Sequence, residues 1–509
     1  MEKCLKTSVF VNETLFGESL EQAIDIDFTL PDYCPDISKI FKCQAVPRIA
    51  AKSLSGRTVT VEGSVAITLI YADKEGRLCS FEYQYPFSKT AETAKECVGA
   101  NICCKARTEY INCRAITGRK VDIHGAAGIY VKVFKRKACE VISDYDDSNI
   151  ELRRGSAPAT VPMGYAEKYH IVEEEIRIGE SQPIIGSILR SDANATVKET
   201  KIINDKAVVK GDMTVCIIYC PEGGGNPQSV KTVIPFSQIV EIEGIGELCE
   251  CETLSQIAFL EVKPRANAGG ESKIFVLTAK ILLSLEAYCS NDITVVFDAF
   301  SRKYQADIIR EKVNFQKITH NINETAHCKQ NIELEENIGS VIDIWSNVQS
   351  VTTRFEKDGM TVCATLAVGM IVCNENGNAV YCEKALDFEY RQNLECNLGA
   401  PFCEPQIEVA SCGYTIVSAN ILEFRADLSI TASVYESNNV SLISEMTVDE
   451  SKPIASNSKG AMTIYFPSSN ECVWDIARIY NASVEEIMRI NELESDKLTA
   501  GSMILVPVM

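Results

Sequence analysis

The sequence predicts a mainly β protein: three repeated antiparallel β-sandwich or partly open barrel domains, followed by a small βααβ module. Three observations lead there. A long segment with two-residue apolar alternation occurs three times at domain-sized spacing, and a second alternating segment follows each copy. After residue 461 the apolar period changes from that of a strand to that of a helix.

The three copies of the first segment are RTVTVEGSVAITLIYADKEG (57–76), DKAVVKGDMTVCIIYCPEGG (205–224) and DGMTVCATLAVGMIVCNENG (358–377). Aligned without gaps they superpose Val61, Val209 and Val362, then Gly63, Gly211 and Ala364, then Tyr71, Tyr219 and Val372. Each ends on a turn glycine, Gly76, Gly224 or Gly377. In the first copy Val59, Val61, Val65, Ile67, Leu69 and Tyr71 share one parity and the polar residues the other, so one face of a long strand is expected to meet a core. Gly63 and Gly211, inside such strands, are expected to mark a bend or bulge.

The second segment is KVDIHGAAGIYVKVF (120–134), KIFVLTAKILLSLEA (273–287) and ILEFRADLSITASVY (421–435). Here Gly125, Thr278 and Ala426 fall at one shared position, where their small size would permit close approach of facing sheets. Another strand-like stretch lies between the two, carrying Pro86-Phe87-Ser88, Pro235-Phe236-Ser237 and, in the third copy, Asp387-Phe388-Glu389. Acidic, apolar lead-ins with Ile-rich turns around Ile37, Ile184 and Ile342 precede the copies. The resulting division is 1–160, 161–305 and 306–448 for the β repeats, 449–461 for a polar linker, and 462–509 for the terminal module.

Composition excludes some functions. A formal net charge of -20 is unsuited to a phosphate backbone, so no nucleic-acid partner is expected. The start MEKCLKTSVFVNETLFG has no continuous apolar core or small-residue cleavage site, and no run reaches the about 18 apolar residues of a membrane span. A cytoplasmic protein without membrane insertion is the expectation. The 22 cysteines are dispersed, with no CxxC, and read as reduced core or surface thiols.

Catalytic motifs are not apparent. His320, His327 and Cys328 lack the spacing of a tetrahedral metal set, and His124 lies on the polar parity of its strand. The run Gly223-Gly224-Gly225-Asn226 lacks the Lys-Ser/Thr of a phosphate loop and aligns with hairpin turns. No enzymatic activity, metal or cofactor is expected.

In the terminal module Val473, Ile476, Ala477 and Tyr480 follow helical spacing, and Asn481 suits the helix end. Ser483-Val484-Glu485-Glu486 has the form of a capping box opening a second helix, with Val484, Ile487 and Met488 on its apolar face. Ile464–Phe466 and Met503–Val506 are the expected flanking strands.

The three-fold repetition, with Pro31, Pro35, Asp36 and Ile37 at the first lead-in, resembles the clostridial SPOCS domain family of SipL-type spore-coat proteins. Tyr465, the Trp474–Tyr480 helix, Asn491, Gly501, Leu505 and Pro507 make the terminal module similar to a LysM domain. That resemblance implies a groove for N-acetylglucosamine chains between the loops Ser468–Cys472 and Asn491–Lys497. Where the family has Gly-Asp-Thr, this chain has Asn470-Glu471-Cys472, which removes a glycine and an N-capping hydroxyl. A LysM fold redirected to protein binding is therefore expected. SipL-like architecture implies a scaffold acting in the mother cell and recruited to the forespore surface, its LysM module docking a spore morphogenetic ATPase or another coat protein. Peptidoglycan binding is the alternative. The candidate partner- or glycan-binding residues are Asn470, Glu471, Trp474, Arg478 and Asn491. Trp474 is read both as a partly buried helix residue and as an exposed aromatic anchor.

Overall fold

A computed structural model describes residues 4–375, 377–394, 401–454 and 462–507. The first unit contains β1 (Cys4–Thr29), β2 (Lys39–Ser55), β3 (Thr58–Ala72), β4 (Leu78–Glu92), β5 (Asn101–Ala115) and β6 (Lys120–Tyr145). Two three-stranded antiparallel sheets, β1-β6-β5 and β2-β3-β4, face one another without a ladder joining them. Each unit is thus a sandwich and not a closed barrel. The second unit repeats this with β7 (Ile150–Arg177), β8 (Ile185–Ile203), β9 (Lys206–Pro221), β10 (Gln228–Glu241), β11 (Glu250–Ala266) and β12 (Ser272–Ser301). In the third, β13 (Tyr304–Glu333), β14 (Ile338–Glu356), β15 (Gly359–Asn374) and β16 (Ala379–Asn393) precede β17 (Pro401–Cys403), β18 (Gln406–Ile416) and β19 (Ile421–Pro453). The expected limits at 160/161 and 448 fall inside β7 and β19, because these strands run on past the segments whose alternation is regular.

The repeated alternation forms the middle strands β3, β9 and β15, and their apolar parity fills the three sandwich cores. Val61, Val209 and Val362 are each fully buried. Gly63 lies in a regular stretch of β3; the bulge is in its neighbour β2, between Ile49 and Ala51. A Cβ on Gly63 would stand 2.2 Å from the Arg48 carbonyl oxygen and 2.6 Å from the Phe87 ring. Gly211 meets Thr196 and Phe236 in the same way. The glycine thus makes room for the phenylalanine of the Pro-Phe-Ser strand and for the bulged carbonyl.

The small-residue position needs a correction in the second copy. Bulges in β5, β11 and β18 align Ala127, Ile281 and Leu428, which places Ala279, not Thr278, beside Gly125 and Ala426. A one-residue slip turns a strand residue to the opposite face. The close approach at Gly125 is to the Tyr110 carbonyl of the neighbouring strand in the same sheet.

The units close into a ring. Equivalent residues of all three, Val9, Ala157 and Val313 with Val141, Val295 and Leu442, share one apolar cluster between the long outer strands. Ile142, Val296 and Ile443 share the next. Asp144 on the last strand of unit 1 pairs with Arg154 on the first strand of unit 2 at 2.5 Å, and Asp298 pairs with Arg310 of unit 3 in the equivalent place. Lys42 to Glu383 at 2.5 Å and Tyr130 to Glu404 at 3.4 Å join unit 3 back to unit 1.

Among the described cysteines 19 are free thiols, while Cys249 and Cys289, expected as reduced thiols, form a disulfide. These two are far apart in sequence, and the fold brings the loop before β11 beside β12. The linker expected at 449–461 begins inside β19, and 455–461 lie outside the described residues.

Candidate functional site: the terminal module and its seat

The module is β20 (Met462–Tyr465), α1 (Val473–Tyr480), α2 (Val484–Ile490) and β21 (Ile504–Pro507), with the two strands antiparallel. Val473, Ile476, Ala477, Ile487, Ile504 and Val506 form its core. Asn481 closes α1 in the left-handed conformation at φ 51°. Ser483 precedes α2 but makes no side-chain cap, so the expected capping box does not form there.

The two family groove loops are stitched together. Asp496 of the second loop accepts the Trp474 backbone N–H at 2.9 Å, and its carbonyl accepts that of Val473 at 3.0 Å. These bonds satisfy the first two backbone donors of α1, next to a capping box between Cys472 and Asp475. Asp475 accepts the Cys472 backbone N–H and thiol, each at 3.0 Å. Burial, together with this bond to Asp475, pushes the Cys472 thiol up to about 11, far from a thiolate nucleophile.

Each predicted residue has a definite place. Asn470 is exposed and adopts φ 75°, the conformation glycine supplies elsewhere. Glu471 accepts the Tyr465 hydroxyl at 3.0 Å and the Ser468 N–H at 2.7 Å, which orders the first loop. Asn491 donates to the carbonyls of Ile487 and Leu505, both at 2.8 Å, and accepts the Leu505 N–H at 2.7 Å. Its amide thus pins α2 to β21.

Trp474 is not an exposed anchor: it is 4% exposed and faces the β repeats. Its ring meets Phe300 of β12 edge-on with centroids 5.0 Å apart, and its Nε1–H donates to Asp298 at 3.0 Å. Arg478 pairs with the same carboxylate at 2.6 Å, and Arg153 of β7 reaches Asp496 at 3.5 Å and the Cys472 sulfur at 3.7 Å. The module is therefore seated on the second unit, with Trp474 and Arg478 engaged inside the chain while Asn470 and Glu471 shape a loop. Sequence reasoning missed Asp298, Phe300, Arg153 and Asp496. None of them carried a sequence signal: Asp298 matches Asp144 and Glu445 only through the strand registers, since the ungapped alignment puts Phe297 in that place.

Among the described residues one group could hold a metal ion: Asp25, Asp122 and His124, all three at the surface or half-buried, with ligand atoms within 4.8 Å of one another. His124 Nδ1 meets Asp25 and Nε2 meets Asp122, each at 2.9 Å.

Residues 36–116 and 184–264 each match the family described as SipL, SPOCS domain, and residues 469–507 match the LysM domain. The chain has the SipL-type arrangement of SPOCS repeats followed by a C-terminal LysM domain. Nothing matched among curated proteins or solved structures. SPOCS and LysM are non-catalytic binding domains, and together they fit a sporulation or envelope-binding protein. LysM domains bind peptidoglycan and other N-acetylglucosamine polymers. No helix among the described residues is long and apolar enough to cross a membrane.

Proposed function

We propose that the protein is a non-enzymatic scaffold of spore-coat assembly, made in the mother cell and recruited to the forespore surface through its LysM module. The expected partner is a spore morphogenetic ATPase or another coat protein. The observation that carries this reading is an apolar face on the module. Met462, Ile464 and Phe466 alternate along β20 and its continuation at 52%, 57% and 62% exposure, with Met503 at 57% beside β21. Large apolar side chains grouped on so small a module favour a protein surface over a sugar, whose recognition requires polar groups at the groove. Because Trp474 and Arg478 are engaged with the repeats, the docking surface is assigned to this strand pair.

The test is a localisation experiment in the source organism. Ile464→Glu with Phe466→Glu is expected to leave a folded, soluble protein that no longer reaches the forespore surface. Normal localisation and coat assembly by that variant would remove the docking role from the β20–β21 strand pair. The glycan reading rests on the LysM match and on the left-handed Asn470 where the family has glycine. Retention of the native protein on purified peptidoglycan, lost on Asn470→Pro, would favour it.

A further inference from the structure

A groove of about 890 Å³ lies where the second unit meets the third, and at the other two junctions side chains meet across the corresponding place. Between units 1 and 2, Lys52 of β2 pairs with Glu167 of β7. Tyr165 there donates to Glu167, its oxygen lying 3.4 Å from the Ile102 carbonyl of unit 1, and Ser284 of β12 also donates to Glu167 at 2.8 Å. Between units 3 and 1, Tyr130 of β6 reaches across and donates to Glu404 at 3.4 Å.

The strand registers say why the remaining junction is open. The shifts at Ala287/Tyr288 and at Ile318/His320 make Tyr165 and Glu167 equivalent to Asn321 and Asn323. Pairing to Val61 and Val209 makes Lys52 equivalent to Thr200. The bulges in β5, β11 and β18 make Tyr130, Ser284 and Thr431 equivalent. Thr200, Asn321, Asn323 and Thr431 all line the groove. At the two positions where the other junctions carry a tyrosine, this one carries asparagine and threonine, and the lysine is a threonine.

We propose that this groove is a docking site for an extended segment of a partner protein that bears lysine or arginine. Its charged lining is one-sided: Glu247, Glu250, Glu252 and Glu199, the last paired with Lys210 at 3.0 Å, against Lys201. Glu250 accepts hydrogen bonds from Tyr288 and Asn321, and Glu252 from Tyr435, so these two carboxylates are held in place on the wall. What the groove lacks relative to the first junction is the Lys52 ammonium group and the bulk of a tyrosine, and a basic side chain supplies both. Three of the strands around it, β8, β11 and β13, are sheet edges, whose free backbone groups suit an extended chain. The proposal is independent of the role given to the LysM module.

The experiment is fluorescence anisotropy on the full chain with a labelled Lys-Thr-Lys-Thr-Lys-Thr-Lys-Thr peptide. Saturable binding is expected, weakened at least about ten-fold by Glu250→Gln with Glu252→Gln and by Asn321→Tyr, which rebuilds the plug of the first junction. Thr431→Tyr, judged against circular dichroism, repeats the test with the other plug. Glu173→Gln with Glu174→Gln, exposed acids on β7, is expected to leave binding unchanged. Absence of saturable binding, equal loss in the β7 control, or undiminished binding in both folded plug variants would overturn the proposal. Displacement of the peptide by spermine at equal concentration would also overturn it, since a free polyamine would then suffice.

Discussion

Asp298 on β12 receives the indole N–H of Trp474 at 3.0 Å and the Arg478 guanidinium at 2.6 Å, while it also pairs with Arg310. One carboxylate therefore joins the second unit, the third unit and the terminal module. Asp298→Ala is expected to unseat the module without unfolding it, because the Val473–Val506 core is left intact. Leaving Trp474 Nε1 unpaired at the contact costs about 1–3 kcal/mol. Small-angle scattering should show a larger radius of gyration, with near-native far-ultraviolet dichroism. An unchanged radius would mean that the Phe300–Trp474 ring contact suffices to hold the seat.

The cores of the three units should respond alike to charge. Val61, Val209 and Val362 are each at 0% exposure, and an aspartate there has no partner. Any one of Val61→Asp, Val209→Asp or Val362→Asp should cost about 3–5 kcal/mol. Urea unfolding is the measurement, and a loss below about 1 kcal/mol would contradict the placement of that strand.

Gly63→Ala and Gly211→Ala should destabilise by about 1–3 kcal/mol, since the new methyl meets a backbone oxygen at 2.2 Å in both units. Ala364 holds the same place opposite Phe388 in the third unit, where Ala364→Gly should bring no comparable gain. Thermal unfolding of the three variants makes the comparison.

Glu408 on β18 gives a pH dependence. Burial pushes its carboxyl up to about 8, with only partial relief from Lys105 of the first unit. A folded-state value above the unfolded one means that the folded protein binds the extra proton between about pH 4.5 and 8. The contribution of this group to stability therefore falls as pH rises through that window. Glu408→Gln should raise the melting temperature at pH 8 and leave it nearly unchanged at pH 4.5; a gain equal at both values would show that the carboxyl titrates normally.

The middle strands were legible in sequence because one of their faces always meets the same sandwich core, which enforces period two on β3, β9 and β15. The outer strands β1, β7 and β13 were not. Their apolar residues serve the sandwich over one stretch and the junction between units over another, and bulges shift parity along the way. The helices of the module were legible from Val473, Ile476 and Ala477, which pack locally. Its seat was not, because Asp298 and Trp474 are distant in sequence and either would be ordinary alone. The same holds for Asp496, which caps a helix from the far loop.

Three equivalent units on one chain, closed head to tail with a single LysM domain, differ in valence from a trimer of separate subunits. A symmetric trimer would present three terminal modules and three identical seams. Here the module sits at one corner, and the three seams have been free to diverge, one keeping a groove where the others hold tyrosine. The particle consequently has a distinguishable corner, and neighbours that recognise it meet a component with a direction as well as a position.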